Sequence, residues 1–432
     1  MKPLIQSHID DILKEASFSV EEDIIKNAHL VLKDMNAGLD KSEESSLAMF
    51  HSKLGRSSIN VKELKMREKL IALDLGGSNL RVALISFEDE SRLQIDDVKK
   101  QKCEKEYESS RDFFTFIAKS IEHLKGKSNK IVFCFSYALE FVQGGQAIVR
   151  GLSKDLSVPD IENKNVGEEL IKALKMRGWS GVESVFVTND TVATLFAGLY
   201  QNIQNKNDHS CNSLMSIILG TGLNAAYFDE DENDIIILEA GAFDKISMSD
   251  FDANVIMKSK ENAHHILEKQ CSAHYLGSIA SEIFKLLIER GVFSKEAKSF
   301  IEGHRRDFSN WVFLNDFFSS SHSILLEKFD VMFEKNDLDV ILYVVKNLIA
   351  RVANLISSLI VAIAMKMKKE KTVKLSAMIE GSTILKTYGM LELVKQGVAK
   401  SLVEIGGVEV EFVTYEHATL IGCAILGRGR KV

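Results

Sequence analysis

Two stretches of the chain share one pattern: an apolar run, a glycine-centred turn, and a second run that returns. Leu70 to Phe87 reads LIALDLGGSNLRVALISF, and Asn212 to Glu230 reads NSLMSIILGTGLNAAYFDE. Each predicts a strand, a tight turn and a returning strand, because glycine at the bend admits positive φ and a close backbone approach. Each leads on toward further strands and helices, which suggests an internal duplication with two facing lobes. Around the first turn, Asp74, Ser78, Asn79 and Arg81 supply groups suited to phosphate and Mg²⁺. Gly-Gly followed by Ser-Asn is also ordinary hairpin punctuation, so the pattern alone leaves both readings open. It is neither a Walker loop, since no GxxxxGK[ST] follows, nor a dinucleotide fingerprint, since strand residues come next and not a helix.

The 432 residues, 45% hydrophobic and 27% charged, suffice for two domains with real cores. A net charge of −7 argues against a polyanion partner, and the closing GRGRK reads as a short solvated tail. Five cysteines (Cys103, Cys134, Cys211, Cys271, Cys423) lack metal-binding spacing, which predicts reduced thiols in a reducing, cytoplasmic compartment. The start of the chain, MKPLIQSHIDDILKEA, has no continuous hydrophobic region of the signal-peptide kind, although a processed secreted form is compatible with that. Leu355 to Met365 is apolar but bracketed by Arg351 and Lys366, so a buried helix is expected and not a membrane span.

Helical periodicity predicts two helices before the first strand, the second opened by a capping box of Ser19 and Glu22. Phe113 to Leu124 reads as a helix, Ile131 to Ser136 as a buried strand, and Tyr137 to Asp160 as irregular. A helix over Val166 to Met176, a strand in ESVFVTND and a helix in TVATLFAGLY follow. Beyond Glu239 the chain becomes mainly helical: Ala263 to Arg290, one helix or two with a break near Gly277, then Val340 to Lys368. Strands in VKLSAMIEGS and VEVEFVTY precede a last helix from His417 to Leu426. Alternating strands and helices place the chain in the α/β class.

With these segments in order, the chain resembles the eukaryotic hexokinase and glucokinase family. The resemblance rests on LDLGGSNLRV, FCFS, GLSKDL, VTNDTVATL, ILGTGLNA, LEAGAF, LEKQCSAHYLG and IEGS, which occur here in the family's order. It implies a two-lobed ribonuclease-H-like (actin-like ATPase) fold with a central cleft. The large lobe is then 1–67 and 189–416, and the small lobe 68–188 and 417–432. Asp190 matches the catalytic base, although Asn and Asp before TVATL also suit a helix cap. Lys154 matches a residue that stabilises charge on the transferring phosphoryl group. Ser136, Ser153, Lys154, Asn189, Asp190, Asn224, Glu239 and Glu268 fall on sugar-contact positions, and His265 stands where the family has a glutamine. For ATP, the resemblance implies Asp74 (holding Mg²⁺ through water), Gly76, Gly77, Ser78, Asn79, Arg81, Thr221, Gly222, Gly381 and Ser382. The expected reaction moves the γ-phosphoryl group of Mg-ATP to the 6-hydroxyl of a hexose such as glucose.

Departures from the family pattern bear on this. Leu152 and Ala240 replace tryptophans, Asp155 replaces a glycine, and EHATLIG replaces an Asp-Gly-Ser-Gly turn that faces the nucleotide. A weakly active or inactive sugar sensor is therefore the alternative, and a sugar-independent ATPase on the same scaffold is the third reading.

Overall fold

The computed structural model describes residues 3–20, 23–54, 68–76, 79–88, 92–142, 145–152, 156–182, 184–204, 213–231, 233–259, 264–319, 334–369 and 374–428. Its strands are β1 (Phe50–His51), β2 (Lys69–Gly76), β3 (Asn79–Phe87), β4 (Leu93–Lys102), β5 (Ile131–Phe135), β6 (Ala138–Val142), β7 (Gln146–Gly151), β8 (Val185–Thr188), β9 (Leu214–Leu219), β10 (Leu223–Asp229), β11 (Asp234–Ile237), β12 (Lys374–Glu380) and β13 (Glu409–Val413). They form a five-stranded sheet ordered β4-β3-β2-β5-β8, a six-stranded sheet ordered β1-β11-β10-β9-β12-β13, and the separate hairpin β6-β7.

The two large sheets repeat one plan. In each, the first three strands in chain order form an antiparallel meander, and the fourth and fifth add in parallel beside the first. The short β1 is extra, pairing with the outside of β11. The echo between the two glycine turns is thus the visible trace of a duplicated topology. β2 and β9 are the first strand of each copy and lie between neighbours, which is why both read as continuous apolar runs. β4 closes one sheet as an exposed edge carrying Lys99, Lys100 and Lys102, charges that discourage edge-to-edge pairing.

In each copy a helix follows the fifth strand: Asp190–Gln204 after β8, Ala418–Arg428 after β13. These two helices pack directly on each other. A Cβ at Gly422 would stand 1.7 Å from the carbonyl oxygen of Ala193, so only glycine permits the approach. Buried residues of both helices share one apolar cluster with the five-stranded sheet and with Leu214, Ala226, Phe228 and Met378 of the other. A second cluster covers the opposite face of the six-stranded sheet with the remaining helices.

That second cluster is built around the helix Lys335–Met367. By length and composition this helix could cross a membrane, but 83% of its apolar window is buried inside the protein. Its Arg351 is 2% exposed and makes a two-pronged pair with Asp252, at 2.9 and 2.6 Å, beside the ring of Phe18. Asp252 also closes a capping box with Ser249 at the start of the helix Asp250–Lys258.

Three expectations need correction. The helix Ile24–Leu39 is capped by Asp23, which accepts from the backbone N–H of Lys26, and not by a box starting at Ser19. The stretch after Tyr137 holds the hairpin β6-β7, whose short alternating strands are easily read as irregular. The break in the region 263–290 falls at Ser272, between helices Ile266–Cys271 and Ala273–Glu289. Gly277 lies inside the second of these, where it admits the backbone of Ser309: a Cβ there would be 2.1 Å from the Ser309 oxygen.

Candidate active site

The end of β2 and the ends of β9, β10 and β12 converge on a cleft of about 540 Å³. Of the residues expected to contact sugar, it is lined by Ser136, Asn189, Asp190, Asn224, Glu239, His265 and Glu268. Of those expected to contact ATP, it is lined by Asp74, Gly76, Arg81, Thr221, Gly222, Gly381 and Ser382. Asn79, which begins β3 opposite Gly76, is half-buried and does not line it. Gly77, Ser78, Ser153 and Lys154 lie outside the described residues.

Asp190 is the first residue of its helix, and the amide oxygen of Asn189 accepts from the N–H of Thr191 at 2.8 Å. Asn189 therefore does the capping. That leaves Asp190 as a carboxylate at the cleft, on the first turn of its helix. Its Oδ1 also accepts from the Thr191 N–H at 2.8 Å, which orients it.

The sugar side is a connected set. Glu268 Oε2 accepts from the backbone N–H of Leu223 at 2.9 Å. Gly241 makes room for that side chain: a Cβ there would come within 3.1 Å of the Glu268 Cβ and 2.9 Å of the Leu223 oxygen. Asn224 Nδ2 donates to Glu239 Oε1 at 3.0 Å, while its Oδ1 accepts from the Ala225 and Ala240 N–H groups. Glu239 and His265 both hold left-handed backbone, φ 50° and 56°. Left-handed geometry is uncommon for a side chain of this kind, and here the surrounding structure fixes it at two cleft residues. Leu152 lines the cleft where the family carries tryptophan, and Ala240 is fully buried.

On the nucleotide side, Asp74 is buried and its Oδ2 carries two partners, Arg81 at 2.5 Å and Thr419 Oγ1 at 2.7 Å. Its Oδ1 lies near Gly76 at the end of β2: a Cβ there would lie 4.0 Å from this oxygen and 4.0 Å from Ser136 Oγ. An anionic oxygen held from behind and aimed at the cleft fits a hard cation such as Mg²⁺. Arg81 also pairs with Glu380 at 3.6 Å, joining β3 of one sheet to β12 of the other. Asp74 is the main cause that raises the Arg81 guanidinium above its ordinary range. Burial pushes the Glu380 carboxyl up to about 7, against the pull of Arg81.

The turn Gly220–Gly222 is locked to its neighbour at the end of β12. Thr383 Oγ1 donates to the Gly220 oxygen at 2.6 Å, and a Cβ at Gly381, with φ 109°, would meet the Leu219 oxygen at 2.3 Å. Two glycine turns thus press backbone on backbone at the cleft, the kind of backbone surface that suits phosphate.

The comparisons with known proteins agree with this geometry. Two family models, both described as hexokinase, match residues 8–200 and 214–428. The chain belongs to the hexokinase family. Hexokinase-5 of Oryza sativa subsp. japonica is 29% identical over 270 residues, 54% of this chain and 50% of that protein. The hexokinase of Schistosoma mansoni is 29% identical over 290 residues, 60% of each. The matched stretch therefore spans about half to three fifths of the length of these relatives. The solved structure of the S. mansoni hexokinase complexed with glucose superposes with a TM-score of 0.80 at 22% identity, covering 98% of this chain and 99% of that one. A second hexokinase crystal structure gives 0.77 at 18%, covering 99% and 100%. Both show that the chain has the two-lobed actin-like ATPase fold of these hexokinases.

Sequence reasoning did not assign Glu380, Thr419, Lys100 or Lys386, which also line the cleft. For Glu380 a signal existed, since it directly precedes Gly381 and Ser382. Thr419 lies in EHATLIG, the segment read only as a missing turn, and it is the residue that grips Asp74.

Proposed function

We propose that this protein is an ATP-dependent hexokinase, transferring the γ-phosphoryl group of Mg-ATP to the 6-hydroxyl of a hexose such as glucose. The observation that carries the reading is the single cleft that gathers Asp190, the Asn224–Glu239 pair and Glu268 on one side and Asp74 with two glycine turns on the other. A hexose is a ring of hydroxyls, and the carboxylates of Glu239 and Glu268 with the amide of Asn224 can accept from and donate to neighbouring hydroxyls. Asp190 accepts the proton of the attacking hydroxyl, orienting the oxygen in line with the phosphorus. Mg²⁺ with ATP supplies neutralisation of charge on the phosphate oxygens, and Asp74 is the residue that would hold it. Lys154 is assigned to the transferring phosphoryl group on the family resemblance.

Closure of the two lobes over the sugar is assigned the exclusion of water, which limits idle ATP hydrolysis. The buried free thiols Cys103, Cys134, Cys271 and Cys423 support a reducing, cytoplasmic setting. A coupled assay of ADP release with a panel of hexoses and nucleoside triphosphates tests the reaction and its substrate. A second reading, a hexose sensor with little phosphoryl transfer, draws on the rebuilt segment at Thr419. Calorimetric hexose binding without phosphorylation would favour it.

A further inference from the structure

The last helix, Ala418–Arg428, lies on the five-stranded sheet along a seam whose contacts recur once per helical turn. Thr419, Cys423 and Gly427 are spaced four apart and so share one face of this helix. Thr419 meets Asp74 of β2 at 2.7 Å. At the far end Gly427 lets the helix down onto the sheet: a Cβ there would stand 2.6 Å from Val132 Cγ2 of β5 and 3.3 Å from Leu70 Cδ2 of β2. Between these two contacts stands Cys423, and facing it is Cys134 of β5. Cys134 is the register partner of Asp74, so its side chain leaves the same face of the sheet as the carboxylate that Thr419 grips. The Cys423 thiol is the hydrogen-bond partner of the Cys134 thiol.

Both thiols are buried and free, and phosphoryl transfer uses neither. They lie one layer behind the wall of the cleft. Asp74, Ser136 and Thr419 line it, with Cys134 two residues before Ser136 and Cys423 one turn after Thr419. On its other side the helix is held by Gly422 against the backbone of Ala193, in the helix that begins with Asp190. A change in the separation of the two sulfurs is therefore passed along the seam to Thr419, and from there to Asp74. Burial raises the Cys134 thiol well above its ordinary range, so the pair rests as two neutral thiols and answers only to an oxidant small enough to enter.

We propose that Cys134 and Cys423 form a dithiol site that hydrogen peroxide converts to a disulfide, and that this bond draws the last helix against β5 and weakens the hold of Thr419 on Asp74. One sulfur, as its thiolate, attacks a peroxide oxygen, expels hydroxide and becomes a sulfenic acid; the second thiol then displaces water from that sulfur. The two thiols together give up two electrons and two protons, and one peroxide becomes two waters. The disulfide itself is independent of the kinase reading, while its effect rests on the assignment of Asp74 to Mg²⁺.

The full chain is treated with hydrogen peroxide, digested without reduction and read by mass spectrometry, and the intact oxidised protein is titrated with Mg-ATP and with glucose by calorimetry. The wild type yields the peptide pair joining Cys134 to Cys423. Its Kd for Mg-ATP rises about tenfold, the worth of a hydrogen bond to a charged group, while glucose affinity stays within about twofold, and dithiothreitol reverses the change. Cys134→Ala and Cys423→Ala bind Mg-ATP as the untreated wild type does and keep that affinity after peroxide, with Cys→Ser in place of either variant that does not fold. Both cysteines still thiols after treatment, a disulfide using any other pair, a Cys134–Cys423 disulfide that leaves Mg-ATP affinity unchanged, an equal loss in the Ala variants, or a wild type that does not bind Mg-ATP overturns the proposal. A wild type that binds Mg-ATP but phosphorylates no hexose defeats the kinase reading alone, since none of these measurements uses turnover.

Discussion

Replacing Asp74 by Asn separates the two halves of the cleft. The amide keeps the shape of the side chain and can still accept from Thr419, so the change removes a charge and little else. Breaking a fully buried ion pair costs about 3–5 kcal/mol, because the partner is left uncompensated. Here Arg81 retains 29% side-chain exposure and a second carboxylate at 3.6 Å in Glu380, so the expected loss of stability is smaller, about 2 kcal/mol. The catalytic loss is larger. Removing the carboxylate oxygen assigned to the metal, at the place where negative charge builds up, should lower kcat by at least ~10²-fold, the size found for preorganised electrostatic groups. Glucose affinity should change less than about twofold, since Asp74 has no hydrogen bond to Glu239, Asn224 or Glu268 and one pKa unit or tenfold in affinity needs 1.4 kcal/mol. Denaturant unfolding, coupled ADP release and glucose calorimetry measure the three quantities. Equal losses of kcat and glucose affinity would refute the division of the cleft, and an unchanged kcat would refute the role of Asp74.

Glu268→Gln should weaken hexose binding by about 10- to 100-fold, the worth of a hydrogen bond to a charged group, while Mg-ATP affinity is retained; calorimetry checks both. Asp252→Ala should destabilise the fold by about 3–5 kcal/mol in urea unfolding, because Arg351 is left buried without its partner, and Asp252→Leu with Arg351→Met should recover part of that loss. Glu380 gives a pH signature: its folded-state pKa of about 7 lies above the ordinary 4.5, so the native state keeps a proton that the unfolded chain releases. Stability should therefore fall as pH rises through that window, and Glu380→Gln should flatten the fall; parallel urea midpoints for the two proteins between pH 4.5 and 7 would contradict the assignment.

Much of the architecture was legible because its main strands announce themselves. β2 and β9 are buried on both faces and read as unbroken apolar runs, and the helix Val166–Met176 shows its period plainly, with Asn165 as its cap. The hairpin β6-β7 was not legible, since two short strands carry too few alternations to stand out from a loop. Gly277 misled because a helical glycine suggests a break, whereas here it answers to the backbone of Ser309, a neighbour that only the folded chain supplies. Fourteen of the described residues expected at the site line one cleft and Asn79 does not, while Thr419 and Lys100 did not declare themselves. Thr419 sits in an apolar helix and meets Asp74 across 345 positions of sequence, and Lys100 is one of several lysines on an edge strand, distinguished only by its register with Arg81.

The central claim is that Asp190 serves as the base for phosphoryl transfer to a bound hexose. Steady-state ADP release with glucose and Mg-ATP, compared between wild type and Asp190→Ala at matched glucose saturation, tests it most directly. The account predicts hexose-dependent turnover in the wild type and a fall of about 10²- to 10⁴-fold in kcat for the variant, with glucose still bound. A wild type that transfers phosphoryl to no hexose, or an Asp190→Ala variant that turns over as fast, would contradict it.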